Sequence, residues 1–168
     1  MGEVSKRKVH VGDLFGVILL VCIAVDLVAS LWVKSDIFRI VLLRADKTVT
    51  GVSISIGTVL LVTGSIMGYV SHEVFKQAVA ESGEVKGIIK DGLFKLVRHP
   101  FYLSLILITL SLVLLFDSYV LLVGSAVVAV ILVSEARKEE RLLAEEFGEE
   151  YFSYQRETGM FFPKIVGR

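Results

Sequence analysis

Long apolar runs alternate with short polar stretches along this sequence. A helix needs about 20 apolar residues to cross a bilayer, within a range of about 17 to 25. Residues 14–33 and 52–70 have that length. The first is broken once, by Asp26, and the second holds only small polar residues. The run over 100–133 is too long for one helix, and Asp117-Ser118 divides it. It predicts two helices, 100–116 and 119–133, joined by a tight turn. Both sit at or under the short end of the range, which suits a thinned bilayer or helices prolonged at their ends. The expected fold is all-α and polytopic, a single membrane domain over residues 1–168 with about four transmembrane helices.

The polar stretches have their own patterns. Residues 34–51 form an outer connection whose Ile37, Ile40, Val41 and Leu43 give it an apolar face suited to the membrane surface. Residues 71–98 form a connector. Its first part, 71–80, prolongs the second helix, and Ser82-Gly83 and Asp91-Gly92 are turn signals. Residues 134–156 predict a charged, amphipathic cytoplasmic helix running out of the fourth span. Leu143, Phe147, Tyr151 and Tyr154 recur at spacings of four, four and three, which makes one stripe. Glu135 and Glu139 extend it toward the membrane. The apolar segment Met160-Phe161-Phe162-Pro163 is expected to fold back onto the membrane face or the site.

Charge sets the orientation. The chain has 18 Lys and Arg against 18 Asp and Glu, and 54% of its 168 residues are apolar. Its mean hydropathy is +0.72. Neutrality argues against a nucleic-acid partner, which needs a basic excess on one face. Fourteen of the basic residues precede the first span, lie between spans two and three, or follow the fourth. The other four are Lys34, Arg39, Arg44 and Lys47. The basic-rich side is expected to be cytoplasmic, with both termini there, in the cell membrane. Residues 14–33 read as a span rather than a cleaved signal, because the apolar stretch is long for a signal and Asp26 precedes any cleavage site. The single thiol, Cys22, forms no internal disulfide.

Several chemistries are missing. His72-Glu73 begins like a zinc-protease motif, but Lys76 stands where a second histidine is needed. Gly51-Val52-Ser53-Ile54-Ser55 fails the nucleophile-elbow pattern at its last position. The histidines and the cysteine show no metal spacing, and there is no phosphate-cradling glycine loop. Gly64 and Gly68 form a GxxxG, which predicts close helix packing. Asp26 is either a polar clasp to a neighbouring helix or a substrate or proton contact.

Two motifs remain. Arg98-His99-Pro100-Phe101-Tyr102 opens the third span, with Pro100 suited to the first helical turn and His99 to the capping position. The positive end of the helix and two basic side chains together call for a counter-charge, which a bound carboxylate would supply. An interfacial anchor of Arg, His and Tyr has the same composition. Glu139-Glu140 lies one to two turns beyond the fourth span. A tight hairpin would bring it to the side where His99 lies. Carboxylates there accept hydrogen bonds from ribose hydroxyls or an amino group, or form a solvated face with Arg137, Lys138 and Arg141.

Gly92-Leu93-Phe94, the RHPFY of 98–102, an apolar hairpin and Glu139-Glu140 follow one another in order. After them come Leu143, Phe147-Gly148, Tyr151, Tyr154 and Phe162-Pro163. Over residues 86–163 this set resembles the isoprenylcysteine carboxyl methyltransferase family and its phospholipid methyltransferase relatives. The resemblance implies S-adenosylmethionine bound without a Rossmann domain, between the cytosolic ends of the last two spans and the C-terminal helix. It implies that Lys86, Gly87, Ile88, Ile89 and Phe94 line the nucleotide. His99, Pro100, Phe101 and Tyr102 would clamp it, and Glu139, with Glu140 beside it, would be the acidic contact. Tyr151 and Tyr154 would pack the lid.

The residues assigned to the reaction itself are Arg98, Glu135 and Arg137. Two positions depart from the family. Ser104 stands where it often has glycine. Glu135 stands where the isoprenylcysteine enzymes have an arginine for the substrate carboxylate, and Arg137 is on another face of the helix. The expected activity is methyl transfer to a lipophilic acceptor drawn from the membrane, by carboxylate O-methylation or amine N-methylation. No metal is expected. The alternatives are an NADPH-dependent membrane reductase of the sterol-reductase type and a non-catalytic membrane module with a degenerate site.

Overall fold

A computed structural model describes residues 47–80 and 87–164 of the chain. The expected first span at 14–33, Asp26, most of the outer connection, the Ser82-Gly83 turn and Lys86 lie outside the described residues. Among those described the protein is all-α. Its helices are α1 (Lys47–Ala80), α2 (Pro100–Phe116), α3 (Tyr119–Phe147) and α4 (Glu149–Glu157), with a 3-10 turn at Gly92–Lys95. α1 prolongs the expected span through 71–80, as the sequence predicts. The segments Thr50–Ala78 and Tyr119–Phe147 are long and apolar enough to cross a membrane, and Pro100–Phe116 is a shorter apolar helix. Only 17% and 28% of the apolar windows of the two long segments are buried. The core helix of a water-soluble domain would be mostly covered, whereas lipid accepts such faces without cost.

The ends of α2 and the start of α3 follow from local chemistry. Pro100 takes the first helical position, where a missing N–H is harmless. The His99 carbonyl accepts the Leu103 N–H at 3.0 Å. At the other end Asp117 adopts φ +52, a conformation that aspartate tolerates better than most residues. Ser118 then starts α3, its side-chain oxygen accepting the Leu121 N–H at 3.3 Å, as an N-cap serine does.

One expectation is corrected. The sequence predicts one charged helix over 134–156, but the helix ends at Phe147. Gly148 has φ +53 and ψ −125, a region that a side chain makes costly. Its carbonyl accepts the Tyr151 and Phe152 N–H groups, both at 3.1 Å, and so starts α4. The stripe is therefore split. Tyr151 and Tyr154 on α4 are buried, while Leu143 and Phe147 on α3 are only half-buried.

The described residues fall into two compact units. In the first, 47–60 with 109–130, α1 meets the end of α2 at Gly57. A Cβ there would stand 3.1 Å from Leu115. The second unit joins 61–80, 87–108 and 131–164 and holds the candidate site. Its α1 segment packs on α2 through Gly64 and Gly68, the predicted close contact. A Cβ at Gly64 would lie 2.9 Å from Ile108 and 3.0 Å from the Ser104 carbonyl oxygen. One at Gly68 would lie 2.9 Å from the Ser104 hydroxyl oxygen. Ser104 is fully buried and donates to the Phe101 carbonyl at 2.6 Å. Its side chain fits because the facing residue, Gly68, has none.

Gly64→Ala is expected to destabilise the protein by about 1 kcal/mol, because the new methyl meets a backbone oxygen that cannot move aside alone. Thermal unfolding in detergent checks this, and an unchanged midpoint would contradict the close packing.

Candidate functional site

The second unit gathers most of the singled-out polar residues at the start of α2. The first contributor is Arg98. Its Nε donates to Glu140 Oε1 at 2.8 Å, and a terminal nitrogen lies 2.7 Å from the same oxygen, with both side chains about nine-tenths buried. The other terminal nitrogen donates to the Thr158 carbonyl and, at 3.4 Å, to that of Gln155. The counter-charge to the arginine, expected from a bound carboxylate, is thus supplied by the protein itself.

His99 lies between the two glutamates. Its Nδ1 is 3.8 Å from Glu139 Oε2, and its Nε2 is 3.3 Å from Glu140 Oε1. That second pair lacks the alignment of a hydrogen bond, and the buried Nε2 has no hydrogen-bond partner. The imidazole stacks on Tyr102 at 5.6 Å with the rings 4° from parallel. Tyr102 in turn donates its hydroxyl to Glu139 Oε1 at 2.7 Å. α2 places His99 and Tyr102 three residues apart, on one face of its first turn.

Glu140 lies beyond the apolar part of α3. Burial pushes its carboxyl up, but the His99 contact and the Arg98 guanidinium outweigh this and hold it below the usual carboxylate range. Burial raises the Tyr154 phenol to about 12, so it remains a neutral donor, and it bonds the Phe94 carbonyl at 2.6 Å.

The chain after α4 returns to this site as a strap. The Arg98 N–H donates to the Gly159 carbonyl at 2.8 Å, and the His99 N–H to that of Met160 at 3.1 Å. A parallel bridge pairs Val97 with Gly159. Phe161 lies 6.1 Å from the His99 ring. The apolar tail thus folds back onto the site, one of the two destinations the sequence allowed.

The other singled-out residues have different positions. Pro100 is fully buried, and Phe101 is exposed. Phe94 is tied in through Tyr154. Gly87, Ile88 and Ile89 form a half-buried stretch before the 3-10 turn. Glu135 sits one turn before Glu139 on α3 and bonds Lys138 at 2.5 Å, while Arg137 is exposed. Sequence reasoning missed Gln155, which donates to Glu140 Oε2 at 3.3 Å, and Thr158 and Gly159, which act through their carbonyls. Only the glycine ahead of the apolar tail hinted at a close approach there.

The described residues therefore define an all-α protein with lipid-compatible helices and a buried ionic cluster where one of them begins. Residues 69–145 match the isoprenylcysteine carboxyl methyltransferase (ICMT) family. The match covers just under half of the chain and includes the RHPFY motif and both glutamates. It supports the resemblance read from the motifs, and the two helices long and apolar enough to cross a membrane agree with it. The strap and α4 lie outside the matched residues. No curated protein and no solved structure matches the chain.

Proposed function

We propose that this protein transfers a methyl group from S-adenosylmethionine to a lipophilic acceptor at the cytoplasmic membrane face. The observation that carries this reading is the meeting of His99 and Tyr102 with Glu139 at the start of an apolar helix. The donor set fits the nucleotide. Glu139 receives one hydrogen bond from Tyr102, and its side chain is one-fifth exposed, so it has lone pairs left for ribose hydroxyls or an ammonium group. The unpartnered His99 Nε2 adds a buried polar atom.

His99, Pro100, Phe101, Tyr102 and Glu139 would hold the nucleotide, with Lys86, Gly87, Ile88, Ile89 and Phe94 along its length. Bound S-adenosylmethionine supplies an electrophilic methyl on a cationic sulfur. The protein's part is to fix the two reactants in line and keep water out. A carboxylate acceptor is already ionised at neutral pH and needs no base. An amine acceptor needs one, for which Glu135 is the candidate. Four spans, both termini in the cytoplasm and residence in the cell membrane complete the proposal. The acceptor enters from the bilayer.

Calorimetry with S-adenosylhomocysteine in detergent tests this on the wild type, His99→Ala and Glu139→Ala. The wild type is expected to bind and each variant to lose at least about ten-fold in affinity, the factor of one charged hydrogen bond. Equal affinity in all three would remove the site. Competition by NADPH, but not by S-adenosylhomocysteine, would point to the reductase alternative.

A further inference from the structure

We infer that the two adjacent glutamates have divided roles: Glu140 is a positioning residue, fixed by Arg98, Gln155 and the C-terminal strap, and Glu139 alone faces the ligand. The assignment of Glu139 to a nucleotide rests on the proposed function. The locking of Glu140 does not.

Neighbouring residues on a helix point about 100° apart. Glu139 and Glu140 therefore cannot serve one small ligand in the same way, and their surroundings differ. Both oxygens of Glu140 are engaged. Oε1 receives Arg98 twice and lies beside His99 Nε2, and Oε2 receives Gln155. Glu139 has one donor, Tyr102, and the more exposed side chain of the two.

Gln155 links these groups in three ways. Its side-chain amide holds Glu140, its carbonyl accepts from Arg98 at 3.4 Å, and the same carbonyl accepts Lys164 Nζ at 2.6 Å. It joins α4 to α3, to Arg98 two residues ahead of α2 and to the end of the strap. Arg98 completes the loop, with its side chain on Glu140 and Thr158 and its backbone N–H on Gly159. Moving Glu140 would displace Arg98, and with it the His99 ring that stacks on Tyr102. Glu140 thus acts on the ligand through its neighbours.

The amides of Arg98 and His99, bonded to the strap carbonyls, report on this lock. Their hydrogen-exchange protection, corrected for intrinsic rates, is to be measured in detergent without ligand for four variants. Glu140→Gln and Gln155→Ala are expected to lower it about ten-fold, the factor of a hydrogen bond to a charged group. Glu139→Gln is expected to stay within about two-fold, the scale of a substitution that removes no contact, because the amide oxygen still accepts from Tyr102 and no bond to the strap or to Arg98 is lost. Gln155→Glu sets a second carboxylate against Glu140. Its protection is expected to be lost near pH 8 and to recover toward pH 5, where two close carboxylates share a proton.

Loosening by Glu139→Gln equal to that by Glu140→Gln would overturn the division, as would a Gln155→Glu variant indifferent to pH. Binding of S-adenosylhomocysteine is measured alongside. If the wild type does not bind it, the methyltransferase reading falls, and the exchange result still decides the lock.

Discussion

Arg98→Ala is expected to lower stability by about 3–5 kcal/mol, the cost of removing one partner of a buried ion pair. The guanidinium makes two contacts with Glu140 and reaches the carbonyls of Thr158 and Gln155. Its loss leaves the Glu140 carboxylate buried with only Gln155 and the poorly aligned His99. It also frees the Thr158 carbonyl at the start of the strap and loosens that of Gln155. Arg98→Lys should recover part of this loss, because an ammonium keeps the charge but not the planar fork that reaches several acceptors at once. Thermal unfolding in detergent separates the three proteins, and a loss under about 1 kcal/mol in Arg98→Ala, the scale of an exposed pair, would show that the pair is solvated.

The pH dependence has a fixed sign. The Glu140 carboxyl is held below its ordinary value of 4.5, so its stabilisation is fully present above that pH. It is lost as pH falls below 4.5 through the lowered folded value. Arg98→Ala should flatten that part of the acid profile.

The two helices of the hairpin were legible in the sequence, and for physical reasons. Pro100 fixes a helix start, Asp117-Ser118 supplies a turn and a cap, and no charged residue interrupts 100–116 or 119–133. The contact of Gly64 and Gly68 was legible because their spacing puts two missing side chains on one face. The break at Gly148 was not. One glycine amid good helix formers has the same pattern whether the helix continues or stops, and the stripe of Leu143, Phe147, Tyr151 and Tyr154 favoured continuation. What stops it is the burial of Tyr151 and Tyr154, a tertiary effect that periodicity does not carry. The motif residues of the site were legible as types, yet the partner of Arg98 was not. A charged helix surface offered Glu135, Glu139 and Glu140 alike, and only the fold selects among them. The carbonyls of Thr158 and Met160 left no trace, because any residue presents a carbonyl, and at Gly159 only the glycine itself signals a close approach.

Gly159 is the residue on which the strap turns, and Gly159→Ala is expected to disrupt it. A Cβ at this position would collide with the Phe162 carbonyl oxygen. That atom is backbone, so no rotamer change relieves the overlap, and the 159–162 turn has to open. Opening it pulls the Gly159 and Met160 carbonyls from the amides of Arg98 and His99, and Phe161 from the His99 ring. Overpacking of a tight site costs about 1–3 kcal/mol, and a backbone obstacle puts this case at the upper end. The variant is expected to unfold at a lower temperature, lose protection at those two amides and bind S-adenosylhomocysteine at least about ten-fold more weakly, the equivalent of about 1.4 kcal/mol. Gly148→Ala serves as the comparison. It strains a positive φ as well, but nothing stands within 4 Å of the added carbon. It should therefore lower stability and leave protection at Arg98 and His99 in proportion to that global loss. If both glycine variants loosened the amides equally, the strap would be following the fold and not holding the site.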